Sequence, residues 1–257
     1  MSILSPYIFG ASITGSLHIK EDLPCQDACH YEIVDEFGLI AVADGLGSVP
    51  FSDIGSRLAV EAAVSSAKNL LLDIPDDGLD ISEIPLKMLH AARECLENRA
   101  IEDGLKLTDM ATTLLAVLFF RDTIYAAQIG DGAVVAKVGG ELVLISGPLN
   151  SEYANEVTPI TSSTWQSDLY IAEALSGAEC VAVFTDGCQR AALLKTMDGY
   201  TPFEKFFNPV FSFASETADL IAGEQELSEF LLSEKISEYS EDDKTLVLAV
   251  LQGLNND

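Results

Sequence analysis

Apolar residues along the chain fall into two periods, one of strands and one of helices. Residues 39–44, Leu39-Ile40-Ala41-Val42-Ala43-Asp44, run almost wholly apolar and stop in Gly45-Leu46-Gly47-Ser48. That is the pattern of a buried strand delivering a carboxylate to a mouth where glycines allow close approach to the backbone. It returns at Cys180-Val181-Ala182-Val183-Phe184-Thr185-Asp186-Gly187. Residues 7–14 predict a first strand, and residues 28–34 and 38–43 a pair joined by a turn at Asp35-Glu36-Phe37. From Ser52 the period lengthens. Ile54, Leu58, Ala62, Leu70 and Leu71 predict a helix to about Leu72, capped by Ser52 or Asp53. A second helix over residues 85–104 aligns Leu86, Leu89, Ala92, Cys95 and Leu96, and the acid-rich stretch 73–83 connects the two. Residues 111–120, 123–129, 133–138 and 141–145 read as a meander of four strands. Its turns fall at Arg121-Asp122, Gly130-Asp131-Gly132 and Gly139-Gly140, too short for anything but antiparallel hairpins.

The remaining stretches are weaker in pattern. Residues 16–27 are polar and irregular, a loop ending in Gln26-Asp27. Residues 146–178 are polar with one short strand expected near 156–160, and form the best candidate for a flap beside a site. Helical segments follow at 189–195, 203–213 and 217–233, then a last strand at 245–251. No repeat or internal boundary interrupts the 257 residues, so one domain over 1–257 is expected. Strand-rich halves with paired helices imply a layered α+β sandwich.

Charge narrows the function. With 14 Lys and Arg against 41 Asp and Glu, the net charge is −27. Such a surface repels nucleic acid and anionic membranes, which excludes both as default partners. Acids in apolar context need a metal or a salt bridge, and with so few cations metal is the better reading. Five cysteines, an odd number without a dense framework, point to a reducing compartment, and their spacing matches no structural zinc pattern. No stretch reads as a leader or a membrane span, so a cytoplasmic location is expected.

Asp27, Asp44, Asp131, Asp186 and the Asp242-Asp243 pair all fall at strand ends or in turns beside strands. Turn chemistry alone also accounts for aspartates in such places, and the residues by themselves leave both readings open. Brought together, several carboxylates would repel unless divalent cations neutralised them, and Mg²⁺ or Mn²⁺ suits an all-oxygen set. Two such ions about 3.5–4 Å apart activate a water and stabilise both attacking and leaving oxygens at phosphorus. From the residues alone, the sharp hypothesis is a two-metal phosphohydrolase.

Six motifs in order make the hypothesis specific: Gln26-Asp27, Val42-Ala43-Asp44-Gly45-Leu46-Gly47, Ala111-Thr112-Thr113, Ile129-Gly130-Asp131, Phe184-Thr185-Asp186-Gly187 and Asp242-Asp243-Lys244-Thr245. Together they resemble the protein phosphatase 2C family of metal-dependent Ser/Thr phosphatases, in its compact bacterial branch. The resemblance spans residues 10–250. It implies a four-layer αββα sandwich, two packed antiparallel sheets flanked by helix pairs. It further implies that Asp44 bridges two Mn²⁺ or Mg²⁺ ions, that the Gly45 carbonyl ligates one, and that Asp186 and Asp242 hold the other. Asp27 would act directly or through water, and Asp131 would help to hold a third, weaker ion near the flap. Thr112, Thr113 and Thr245 read as structural.

Two positions depart from the family pattern. Where a phosphate-binding Arg is usual, five residues before Asp27, this chain has Asp22, and where some members carry a His proposed as general acid it has Leu46. His18 and Lys20 lie in the same first loop as candidate substitutes, with His18 as proton carrier beside Asp44 and Asp186 in the catalytic set. An ordinary exposed loop histidine is the competing reading. The expected function is hydrolysis of phosphoserine and phosphothreonine in proteins by in-line attack of water. A Ser/Thr kinase is the implied functional opposite. No Cys-x₅-Arg signature supports a cysteine-based phosphatase, and no Asp-x-Asp-x-Asp-Gly loop an EF-hand. The alternative is a weakly active or inactive phosphatase-fold module that binds a phosphorylated partner in signalling.

Overall fold

The computed structural model describes residues 5–73, 78, 80–148 and 157–251. In chain order, β1 (Tyr7–Ile13) leads through α1 (Ser16–Glu21) to the hairpin β2 (Asp27–Val34) and β3 (Phe37–Asp44). Two long helices follow, α2 (Ser52–Leu72) and α3 (Ile84–Asp103). Next come β4 (Leu114–Phe120), β5 (Thr123–Ile129), β6 (Ala133–Val138) and β7 (Glu141–Ser146). The short β8 (Tyr170–Ile171) precedes β9 (Ala178–Phe184), α4 (Gln189–Ala192), and the hairpin β10 (Leu193–Thr196) and β11 (Gly199–Pro202). Helices α5 (Glu204–Glu216), α6 (Leu220–Leu232) and α7 (Glu234–Ser237) lead into β12 (Lys244–Val250).

Two five-stranded antiparallel sheets result, ordered β1-β12-β9-β6-β7 and β2-β3-β4-β5-β8. The alternation of side chains along each strand builds the layers. Along β3, Leu39, Ala41 and Ala43 face α2 and α3, where they pack with Ala63, Val64, Met88, Leu89 and Leu96. Ile40 and Val42 face the other way and meet Val181, Val183, Val247 and Ala249 of the opposing sheet. The far side of that sheet, with Ala182, Phe184, Leu246 and Leu248, is covered by Phe207, Val210 and Phe211 of α5 and Leu227 and Leu231 of α6. Helix pair, sheet, sheet, helix pair: this is the expected αββα sandwich, an α+β fold. No helix among the described residues is long and apolar enough to cross a membrane.

The meander is corrected. β4 and β5 pair with each other, as do β6 and β7, but β5 and β6 belong to different sheets. Gly130, at φ +109, turns the chain out of one sheet and into the other, so the residues 130–132 form a corner between layers. A Cβ at Gly130 would stand 2.5 Å from the Thr113 side chain, which leaves room for glycine alone. The consequence is that Asp131 sits on the seam between the sheets. The loop at 16–27 is corrected too, because residues 16–21 form α1. That helix is too short for a readable period and is held from outside, by Leu17 N–H donating to the Glu241 carbonyl at 3.0 Å. The helix expected over 189–195 ends at Ala192, and residues 193–196 pair with 199–202 as a two-stranded ribbon. No strand forms over 157–160, the described part of the one expected at 156–160, while residue 156 and the flap segment 149–156 lie outside the described residues. The strand in that region is β8, paired with β5.

Candidate metal centre

Antiparallel pairing puts the start of one strand beside the end of its neighbour, and this gathers the acids at one rim. Asp27 opens β2 directly opposite Asp44, which closes β3. In the facing sheet, Asp186 follows the end of β9 and Asp242 precedes the start of β12, its neighbour. Asp131 arrives on the corner between sheets. Carboxylate oxygens of Asp44, Asp131 and Asp186 all lie within 4.8 Å of one another. Asp242 is exposed and lines a cleft together with Asp186.

The backbone that carries Asp44 is fixed on both sides. Its N–H donates to Thr113 Oγ1 at 2.9 Å, and its carbonyl accepts from Thr112 Oγ1 at 3.0 Å and Thr113 N–H at 2.8 Å. The next residue, Gly45, donates its N–H to the Gln26 carbonyl at 3.0 Å. A Cβ there would stand 2.6 Å from the Ser52 carbonyl, so the mouth of the strand closes only around glycine. Asp27 is buried behind the cluster, and its Oδ2 accepts from Thr185 Oγ1 at 2.7 Å and Thr245 Oγ1 at 2.9 Å. The Gln189 side-chain amide donates to the Asp131 carbonyl, tying α4 to the corner.

Electrostatically the site is under tension. Burial pushes the Asp44 carboxyl well above the usual carboxylate range, and the charges of Asp27, Asp186, Asp131 and Asp242 push it further. Burial raises Asp27 likewise, against the stabilising hydroxyls of Thr185 and Thr245. Asp131 is raised by burial and by Asp242. Asp186 rises to about 6 through burial and the charges of Asp131 and Asp242, with a hydrogen bond to Asp44 opposing. Among the described residues no Lys, Arg or His ion pair reaches Asp27, Asp44, Asp131, Asp186 or Asp242. A converging, all-oxygen, uncompensated donor set is what a hard dication requires, so the residues present fit Mg²⁺ or Mn²⁺. The buried Gln26 Oε1, beside Asp27, has no hydrogen-bond partner among the described residues.

His18 stands outside the three-carboxylate cluster. It is largely buried, with Nδ1 2.9 Å from Asp243 Oδ2, rather than exposed on a loop. By sequence Asp243 is named only as one of the Asp242-Asp243 pair, with no role of its own. Its carboxylate also accepts from Gly15 N–H and Gln26 N–H, both at 2.6 Å, and so fastens the first loop to the start of β12. The Asp242-Asp243 doublet was the available signal, but nothing in a linear pattern says which member turns inward. Thr185, which orients Asp27, was legible only as the residue before an Asp-Gly.

The protein phosphatase 2C family model matches residues 14–232. Serine/threonine-protein phosphatase 3 of Escherichia coli (strain K12) is 36% identical over 248 residues, covering 93% of this chain and 96% of that protein. Among solved structures, a bacterial serine phosphatase is similar with a TM-score of 0.64 at 15% identity, over 96% of this chain and 98% of its own. A serine/threonine phosphatase of S. agalactiae gives 0.63 at 18% identity, over 95% and 99%. The two structures share the layered fold. The reach of the family match and the identity to the E. coli protein place this chain in the protein phosphatase 2C family of Ser/Thr protein phosphatases.

Proposed function

We propose that the protein removes phosphate from phosphoserine and phosphothreonine side chains of other proteins, with Mn²⁺ or Mg²⁺ at the rim between the sheets. The convergence of the Asp44, Asp131 and Asp186 carboxylates carries the reading. In it, Asp44, Asp186, Asp242, Asp131 and the Gly45 carbonyl hold two ions and a weaker third, and Asp27 supports them from behind. Bound there, the dications supply the charge that activates water and stabilises the phosphoryl oxygens in an in-line displacement.

The protein's own residues do the rest. Asp44 would be the carboxylate shared by the ions, and the bonds that Thr112 and Thr113 make to its backbone on either side hold it in place. Asp27 keeps its orientation because Thr185 and Thr245 both donate to Oδ2. His18 is assigned the proton-carrying role through Nε2, since Nδ1 is committed to Asp243. A Ser/Thr kinase acting on the same side chains would supply the substrate.

The test is hydrolysis of p-nitrophenyl phosphate and of a phosphothreonine peptide, with and without manganese. Turnover should require the metal, and Asp44→Ala should lower kcat by at least about a thousandfold, in line with loss of a principal charge-stabilising element. Activity unchanged by EDTA or by Asp44→Ala refutes the mechanism. Turnover at background together with tight phosphopeptide binding would select the binding-module alternative.

A further inference from the structure

The rim that gathers carboxylates also repels what it must receive. A phosphomonoester carries about −1.5 to −2 charges near neutral pH, and the surrounding protein carries −27. Bound dications would offset part of that repulsion, and a protein cation facing the substrate would offset more. Lys244 is buried, with Nζ 2.8 Å from the Asp242 carbonyl, and is turned inward. Lys20 is exposed, but its Nζ pairs with Glu241 at 2.7 Å. Arg190 remains. It is exposed on α4, and no hydrogen bond or ion pair engages its guanidinium among the described residues.

Its position is specific. A cleft of about 480 Å³ opens beside the centre, lined in part by Asp186, Gln189, Arg190, Glu238 and Asp242. Arg190 is its one cationic lining residue among the described residues. The volume suits a phosphorylated side chain with adjoining peptide, since ligand clefts commonly measure about 300–1,000 Å³. Arg190 lies four residues beyond Asp186 in the chain, and Gln189 before it is tied to the Asp131 carbonyl. The segment leading into Arg190 therefore starts at one acid of the candidate centre and is tied to the backbone of another.

We propose that Arg190 is the phosphate-recognition residue of this protein, receiving the substrate phosphoryl group in the cleft beside Asp186 and Asp242. A guanidinium presents a planar fork of donors that matches two phosphate oxygens at once, a geometry an ammonium lacks. The inference rests on the proposed phosphatase reading and names the group that selects its substrate.

Inorganic phosphate is the probe, titrated calorimetrically into the manganese-loaded protein, alongside KM and kcat for p-nitrophenyl phosphate. Arg190→Ala should weaken phosphate binding about tenfold or more and raise KM by a similar factor. Manganese affinity and melting temperature should stay as in the wild type, and Arg190→Lys should restore only part of the loss. Unchanged phosphate affinity in Arg190→Ala overturns the proposal, as does a loss that merely follows weakened manganese binding. A wild-type protein that binds no phosphate overturns it as well. Phosphate binding through Arg190 without turnover would instead sink the hydrolytic reading and leave this one standing. Turnover indifferent to Arg190 would sink this one alone.

Discussion

Asp243 shows how much a single buried carboxylate can organise. Both of its oxygens accept backbone N–H groups, from Gly15 and Gln26, and Oδ2 also meets His18. These bonds join the start of α1, the residue before Asp27 and the start of β12, three segments more than two hundred positions apart at the extremes. Each buried N–H left without a partner costs about 1–3 kcal/mol. Asp243→Ala should therefore destabilise the fold by roughly 3–5 kcal/mol, with Asp243→Asn losing less because it keeps one acceptor. Urea denaturation of the two variants measures this, and an Ala variant within about 0.5 kcal/mol of wild type would show the network to be dispensable. The contrast with Asp44 explains what was legible. Asp44 and Asp186 ended apolar runs in Asp-Gly and could be read from the sequence, whereas the inward turn of Asp243 and the exposed place of Arg190 depend on contacts no local pattern encodes.

At the scale of elements, periodicity located the long pieces well. Helices α2 and α3 and strands β5 and β6 lie where the apolar spacing puts them, because each presents a full face to one core layer. What the spacing could not say is which sheet a strand joins. A two-glycine turn looks the same whether it closes a hairpin or passes between layers, and the corner at 130–132 is the second kind. The ribbon of β10 and β11 escaped notice because its Met197-Asp198 turn lacks a strong hairpin signature. The corner also offers a test. Gly130→Ala must force a side chain into positive φ against Thr113, at a cost of about 2–4 kcal/mol, and it should displace Asp131. A thermal melt combined with a manganese titration should show both lower stability and weaker binding of the loosest ion. Manganese affinity intact across all sites would argue that Asp131 takes no part.

For the molecule as a whole, the carboxylates set the response to pH and metal. Asp27, Asp44, Asp131 and Asp186 all have folded-state pKa values above their ordinary ones, Asp186 at about 6. A group raised in this way binds more protons folded than unfolded. Its contribution to stability is full below the unfolded value and is lost as pH rises through the folded one. The net charge of −27 pushes in the same direction, because protonation relieves self-repulsion. In EDTA, then, the protein should melt higher near about pH 5.5 than near about pH 7.5. Manganese at a hundred times its dissociation constant at about pH 7.5 should add about 2.7 kcal/mol per site, and the same concentration should add less at about pH 5.5, where protons compete for the carboxylates. Melting curves at the two pH values, with and without metal, decide the matter, and a chelated protein more stable at pH 7.5 would contradict it.

The carboxylates at the rim come from both sheets: Asp27 and Asp44 from one, Asp186 and Asp242 beside the other, with Asp131 in the corner that crosses between. An ion seated there would work as a rivet through two plates. With an ion bound, the layers could neither slide nor gape at that end without stretching its bonds, so loading the metal would also lock the sandwich.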